Sequence, residues 1–241
     1  MQTSIPPQGP SAEGPTALHD EAAVRTAIVA AMRDLIGLGL SQGTAGNVSV
    51  RFGDGFLVTP SGIPAERLRP EDIVPMSWAG THTHPLKPSS EWRFHRDILA
   101  QRPEIGAVVH AHPTYCTAFA ICGREIPAVH YMIAAVGGPT IRCAPYAPYG
   151  TQELSTAALA ALEGRTGCLL ANHGMIACGK DLHRALWVAV EMEALCRQYA
   201  VALQVGAPVI LSDEEIWRTV ERFKSYGLRD TANNSEYLSR A

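Results

Sequence analysis

His110-Ala111-His112 follows directly on the apolar run Ile105 to Val109. Alternate residues of a strand face one side, so both imidazoles would address a single point while Ala111 turns away. Zinc takes nitrogen ligands at about 2.0–2.1 Å, and a catalytic zinc typically has three protein ligands and one open position. An HxH pair also arises by chance, and the chain holds its own control in His82-Thr83-His84. That second pair lies among Gly, Thr and Pro, with no apolar strand to pre-position it. It reads as solvated loop. A third ligand must come from elsewhere, and Asn172-His173-Gly174, between the apolar runs GCLLA and MIACG, is the best candidate. A turn between two buried strands displays its side chain at a sheet edge or bulge; the bland alternative is a histidine that only caps the turn. His19 and His183 stand beside helix starts and His95 lies in a helical stretch. Satisfied or exposed structural roles suit those three.

Oxygen-rich turns supply a different chemistry. Ser89-Ser90-Glu91 precedes the helical stretch WRFHRDILA and offers hydroxyls and first-turn N–H groups, which suit a phosphate. Thr44-Ala45-Gly46-Asn47 and Ser61-Gly62 add turn backbone of the sort that forms anion nests. Each segment alone reads better as an ordinary turn or cap than as an anion site. Neither the GKS/T nor the GxGxxG spacing occurs, which excludes a P-loop or a dinucleotide fingerprint. Lys87, Lys180 and Lys224 stand in polar surroundings, a poor setting for a Schiff-base lysine, which needs an apolar pocket.

Several elements must position these groups. Residues 1–16, rich in Pro, Gly and Ser, read as a disordered leader. Apolar spacing predicts a helix from Leu18 to Leu40, ended by Gly37 and Gly39. NVSVRF and FLVT around Gly53-Asp54-Gly55 predict a hairpin, and DIVPM a further strand. IGAVVHAH predicts a buried strand and Pro113-Thr114 a helix start. Strand-like pieces recur at IPAVHYM and TIRCAPY, and helices at TQELSTAALAAL and DLHRALWVAVEMEALCRQYAVAL. Ser212-Asp213-Glu214-Glu215 suits a capping box. The hairpin signals predict a mainly antiparallel sheet within one α/β domain.

The 241 residues suit a single domain, 46% hydrophobic and 18% charged. A net charge of −3 leaves no basic field for nucleic acid. No apolar run reaches membrane-spanning length, and the first residues lack a secretory pattern, so a cytoplasmic protein is expected. Six scattered cysteines, with no CxxC, suit reduced core thiols.

The blocks QGTAGNVSVR, TPSGIP, PSSEWRFH, VVHAH, IPAVHYMIAAVGG, CAPYAPYGTQELS, NHGMIACG, ALWVAVEME, LSDEEI and KSYGLR together resemble the class II aldolase/adducin family. The likeness runs from about residue 20 to 230 and points to the branch that cleaves L-fuculose 1-phosphate and similar ketose 1-phosphates. It implies a central, mainly antiparallel sheet flanked by helices on both faces, over residues 17–230; residues 231–241 read as a flexible tail. It also implies a homotetramer with sites at subunit interfaces. His110, His112 and His173 correspond to the ligands of one Zn2+ per subunit. Glu91 corresponds to the carboxylate that ligates the free metal and moves the proton once substrate displaces it. Thr44, Gly46, Asn47, Ser61, Gly62, Ser89 and Ser90 would hold the phosphate. Tyr131 matches a tyrosine that acts on the aldehyde oxygen from a neighbouring subunit, and Tyr226 one that closes over the site. One departure is Tyr149, where the fuculose enzymes have Phe. The implied reaction yields dihydroxyacetone phosphate and an aldehyde such as L-lactaldehyde. Other chemistries on the same scaffold are cleavage of 5-deoxyribulose 1-phosphate, 4-epimerisation, dehydration and decarboxylation. Related 4-epimerases carry Asp at the position of Glu91, which favours aldol cleavage. A non-catalytic adducin-like module has no need of three histidines and Glu91 together.

Overall fold

The Gly53-Asp54-Gly55 signal closes the expected hairpin. Strand β1 (Asn47–Phe52) pairs antiparallel with β2 (Gly55–Val58), and Gly53 turns the chain at φ 52°. This is a computed structural model in which residues 20–223 are described. The leader at 1–16, the tail at 231–241, and His19, Lys224 and Tyr226 lie outside the described residues.

Helix α1 (Glu21–Gly37) starts where Asp20 accepts the Ala22 N–H. Beyond the hairpin come β3 (Val74–Ser77), α2 (Trp92–Gln101), β4 (Ala107–Ala111) and α3 (Thr114–Ile121). The second half holds β5 (Cys143–Ala144), α4 (Gln152–Ala161), β6 (Gly167–Leu170), β7 (Gly174–Gly179), α5 (Leu182–Val205) and α6 (Asp213–Phe223). The strands form one sheet in the order β3-β2-β1-β4-β7-β6-β5. Among the described strands only β5 and β6 pair in parallel, so the mainly antiparallel α/β expectation holds.

Two cores flank this sheet, one on each face. Val48, Val109, Met175 and Ala177 face a core built with α1, α3 and α5. Val58, Val108, Ile176 and Cys178 face a second core built with α2 and α4. The alternation along β4 places His110 on the α2 face, where Phe94 meets its ring edge-on at 5.4 Å. All six cysteines are free thiols; Cys116, Cys168, Cys178 and Cys196 lie in the core as expected, whereas Cys143 is half-buried and Cys122 exposed.

One expected strand is absent. IPAVHYM contributes a single bridge, Ile126 to Ile141, and then winds into a 3-10 helix over Tyr131–Val136. The His130 ring accepts the Met132 N–H, and that local bond favours the turn over a ladder.

Candidate active site

His110 and His112 occupy the end of β4 and the residue after it, in the centre of the sheet. His110 is fully buried, and its Nδ1–H donates to the Met175 carbonyl of β7 at 2.8 Å, leaving Nε2 with its lone pair. His173 sits in the turn between β6 and β7, which is a hairpin end rather than the expected sheet edge or bulge. Asn172 beside it takes φ 54°, a left-handed conformation that Asn tolerates better than most residues. Gly174 completes the turn. A Cβ there would lie 2.5 Å from His112 Cδ2 and 2.6 Å from the Ala111 carbonyl, so only glycine leaves room for the imidazole.

The three rings meet as expected. Their centroids lie 4.7 to 5.0 Å apart, and one ligand atom from each falls within 4.8 Å of the others. Glu91, immediately before α2, reaches into the same space. Its Oε2 lies 3.1 Å from His110 Nε2 and its Oε1 3.2 Å from His173 Nε2. Burial raises the Glu91 carboxyl, but the charge and hydrogen bond of His110, the charge of His173 and the Asn47 amide outweigh it. The net effect holds the group well below the usual carboxylate range. Burial opposes a charge on His110, yet Glu91 raises its affinity for a proton overall. Burial, then repulsion from His110 and His173, lowers His112 to about 4; burial and His110 lower His173 to about 4. Two neutral imidazoles therefore present lone pairs to a space that already favours one positive charge.

A divalent cation fits this donor set. His112 Nε2 lies 2.9 Å from His110 Nε2, and Glu91 Oε1 is buried with no hydrogen-bond partner. Nitrogen lone pairs and an unpartnered carboxylate oxygen crowded together repel one another unless a proton or cation stands between them. The His82 and His84 pair behaves differently. His84 Nε2 pairs with the Glu71 carbonyl and His82 Nδ1 with the His84 carbonyl, on an exposed loop.

The oxygen-rich turns converge on the same end of the sheet. Val48 and Thr59 pair across β1 and the end of β2, Pro60 bridges Pro88, and Ser61 N–H donates to the Lys87 carbonyl. Segments 44–47, 59–62 and 88–91 thus lie side by side. Thr44, Ser61, Gly62 and Ser90 are exposed there, whereas Asn47 and Ser89 are buried. The Ser89 hydroxyl accepts the Glu91 N–H at 3.2 Å, and the Asn47 amide donates to Glu91 Oε2 at 2.9 Å. A Cβ on Gly46 would fall 2.5 Å from Ser41 Oγ, which accounts for glycine at φ 83° in this turn.

A cavity of about 330 Å³ opens over the cluster, lined by Glu91, His112 and His173 together with Tyr146, Tyr149 and Asn172. Tyr131 stands apart at the start of the 3-10 helix, 51% exposed, its ring 4.7 Å from that of His130. It does not line that cavity. Tyr226 lies outside the described residues. Two further residues stand at or beside the cluster without a functional signal in the sequence, and His95 is satisfied, as expected. Tyr146 gave no signal beyond its place in CAPYAPYG. His95 sits one turn along α2 from Glu91, a spacing that puts both on one helix face. It is completely buried, with Nε2 2.5 Å from Asn47 Oδ1 and Nδ1 2.7 Å from Ser49 Oγ.

Residues 26–200 match the class II aldolase and adducin N-terminal domain, and the chain belongs to that family. It is 55% identical over 205 residues to the 5-methylthioribulose-1-phosphate/5-deoxyribulose-1-phosphate aldolase of Rhodospirillum rubrum, covering 85% of this chain and 93% of that protein. It is 54% identical over 193 residues to the L-fuculose phosphate aldolase of Escherichia coli, covering 80% and 90% respectively. Among solved structures, an L-fuculose 1-phosphate aldolase superposes with a TM-score of 0.83 at 38% identity, over 86% of this chain and all of that one. The L-fuculose-1-phosphate aldolase of Thermus thermophilus superposes at 0.67 and 28% identity, over 78% of this chain and all of the other.

Proposed function

We propose that this chain is a zinc-dependent aldolase that cleaves a deoxy-ketose 1-phosphate, L-fuculose 1-phosphate or a close analogue, to dihydroxyacetone phosphate and a short aldehyde. The observation that carries the reading is Glu91. A buried carboxylate with one oxygen lacking a hydrogen bond, set against three imidazoles beside an open cavity, serves no purpose in a purely structural module. The aldolase names of relatives at 55% and 54% identity support the same chemistry.

His110, His112 and His173 would hold the cation, with Glu91 as the displaceable fourth donor. The bound ion supplies Lewis-acid stabilisation of the negative charge that develops at the C2 oxygen on cleavage, worth several kcal/mol. Thr44, Gly46, Asn47, Ser61, Gly62, Ser89 and Ser90 grip the phosphate, far from the breaking bond, and fix the substrate's register. Asn47 spends one amide N–H on Glu91 and keeps the second for substrate. In cleavage the C4 hydroxyl gives its proton to Tyr131, present as phenolate, as the C3–C4 bond breaks, and protonated Glu91 gives its own to C3; the reverse reaction runs from the Glu91 carboxylate and the Tyr131 phenol. Tyr131 faces outward on a single chain, which suits a site completed by a neighbouring subunit of a homotetramer. Tyr226 closes over the pocket in this reading. Exposed Lys87 and Lys180 make a Schiff-base route unattractive.

The test is release of dihydroxyacetone phosphate from a panel of ketose 1-phosphates, with metal content measured on the same sample. Turnover of 5-deoxyribulose or 5-methylthioribulose 1-phosphate above L-fuculose 1-phosphate would select the second substrate reading, which the Rhodospirillum relative favours. No aldehyde release from any of them, at full zinc occupancy, overturns aldol cleavage.

A further inference from the structure

We infer that His95 is a positioning residue, the middle member of a buried relay that runs Ser49–His95–Asn47–Glu91 and fixes which oxygen of Glu91 is held and which is free. The inference rests on the aldolase reading for its kinetic consequence, but the relay itself follows from donors and acceptors alone. Glu91, as a carboxylate, can only accept, so the nitrogen of the Asn47 amide must face it, at 2.9 Å from Oε2. The Asn47 oxygen then faces His95 Nε2, 2.5 Å away, and requires a proton there. A neutral imidazole carries one N–H, so Nδ1 is bare and must accept from the Ser49 hydroxyl at 2.7 Å. Complete burial of Ser49 and His95 removes water as a substitute partner for either.

Every link has one permitted direction. The outcome is that Glu91 Oε2 is tethered through Asn47 while Oε1 has no hydrogen-bond partner. Asn47 belongs to β1 and pairs with His110 of β4 across the ladder, so the relay also ties Glu91 to the strand that carries two of the imidazoles. Without His95 the Asn47 amide would lose its orienting donor and could rotate, and Oε2 would lose its anchor. Neither His95 nor Ser49 touches the cavity. They reach the site only through Asn47 and Glu91, so their effect is on how those two side chains are held.

Three variants and one spectrum test this. His95→Phe keeps the bulk of the ring and removes both hydrogen bonds; kcat should fall roughly tenfold or more. His95→Gln restores a donor to Asn47 and should recover most of that loss. Ser49→Ala, a smaller change, should lower kcat in the same direction by a few-fold. Two-bond 1H–15N correlation spectra, with the His95 signal assigned by its loss in His95→Phe, should show Nε2 protonated and Nδ1 bare. An Nδ1–H tautomer overturns the relay. So does a wild-type kcat in His95→Phe, or a His95→Gln variant as impaired as His95→Phe at equal thermal stability. The spectrum needs no substrate, so an inactive wild-type protein would count against the aldolase reading while the tautomer still decides the relay.

Discussion

In the proposed reading Glu91 is the side chain on which the chemistry turns, because a substrate can displace it from the cation while Asn47 and the imidazoles that hold its charge stay in place. Glu91→Gln preserves the shape of the group and loses its basicity. Turnover should fall by about 100-fold or more, with the fold and most of the metal retained; near-normal kcat at full occupancy would remove Glu91 from proton transfer. His112→Ala should abolish metal binding together with activity, read as zinc per chain by atomic emission, and a stoichiometric zinc content in that variant would break the ligand set. The three-histidine cluster was legible in the sequence because His110 and His112 end one apolar run and His173 interrupts another, and apolar runs declare where rigid strands lie. His95 was not, because a helix buries one face whatever its side chains do, and a buried histidine on that face looks like any other core position. Only its one-turn offset from Glu91 could have given it away.

At the level of elements, the hairpins were readable from Gly53-Asp54-Gly55 and from the interruption at Asn172-His173-Gly174, since turns need residues of special backbone freedom. IPAVHYM misled because its alternation matches a strand, while the bond from Met132 N–H to the His130 ring that bends it is a side-chain event no pattern records. Gly174 yields a direct test. Gly174→Ala should cost about 1–3 kcal/mol through overpacking and should push the His112 ring aside, so metal affinity falls together with the melting temperature. An unaffected zinc titration would show the close contact to be unimportant. A second element-level test concerns Asp97, which ties α2 to α4 by accepting from Gln152 and Ser155, both at 2.6 Å, and from Arg96. Burial raises this carboxyl, but those bonds outweigh it and lower it overall. A carboxyl lowered in the folded state contributes its stability above the unfolded value and loses it as pH falls through the folded one. Below about pH 4 the wild-type protein should therefore lose more stability than Asp97→Ala does over the same interval. Parallel acid profiles for the two would show that Asp97 is not the group responsible.

For the molecule as a whole, Tyr131 is the residue whose proposed role a single chain does not explain. Mixing Tyr131→Phe and Glu91→Gln subunits by unfolding and refolding should regain roughly a quarter of the wild-type activity if each site borrows its tyrosine from a neighbour. No recovery would place both groups in one subunit. The likeness to a family was readable across most of the chain from long blocks, and the homotetramer comes only as what that likeness implies, because subunit contacts leave no periodic trace. The donors around Glu91 come from β1, the start of α2, the end of β4 and the β6–β7 turn, a spread from Asn47 to His173. No two neighbouring elements in the chain can assemble that pocket on their own. A nascent chain that has not yet reached His173 carries only His110, His112 and Glu91 of this donor set, so the complete ion site forms only once the His173 hairpin has emerged and docked.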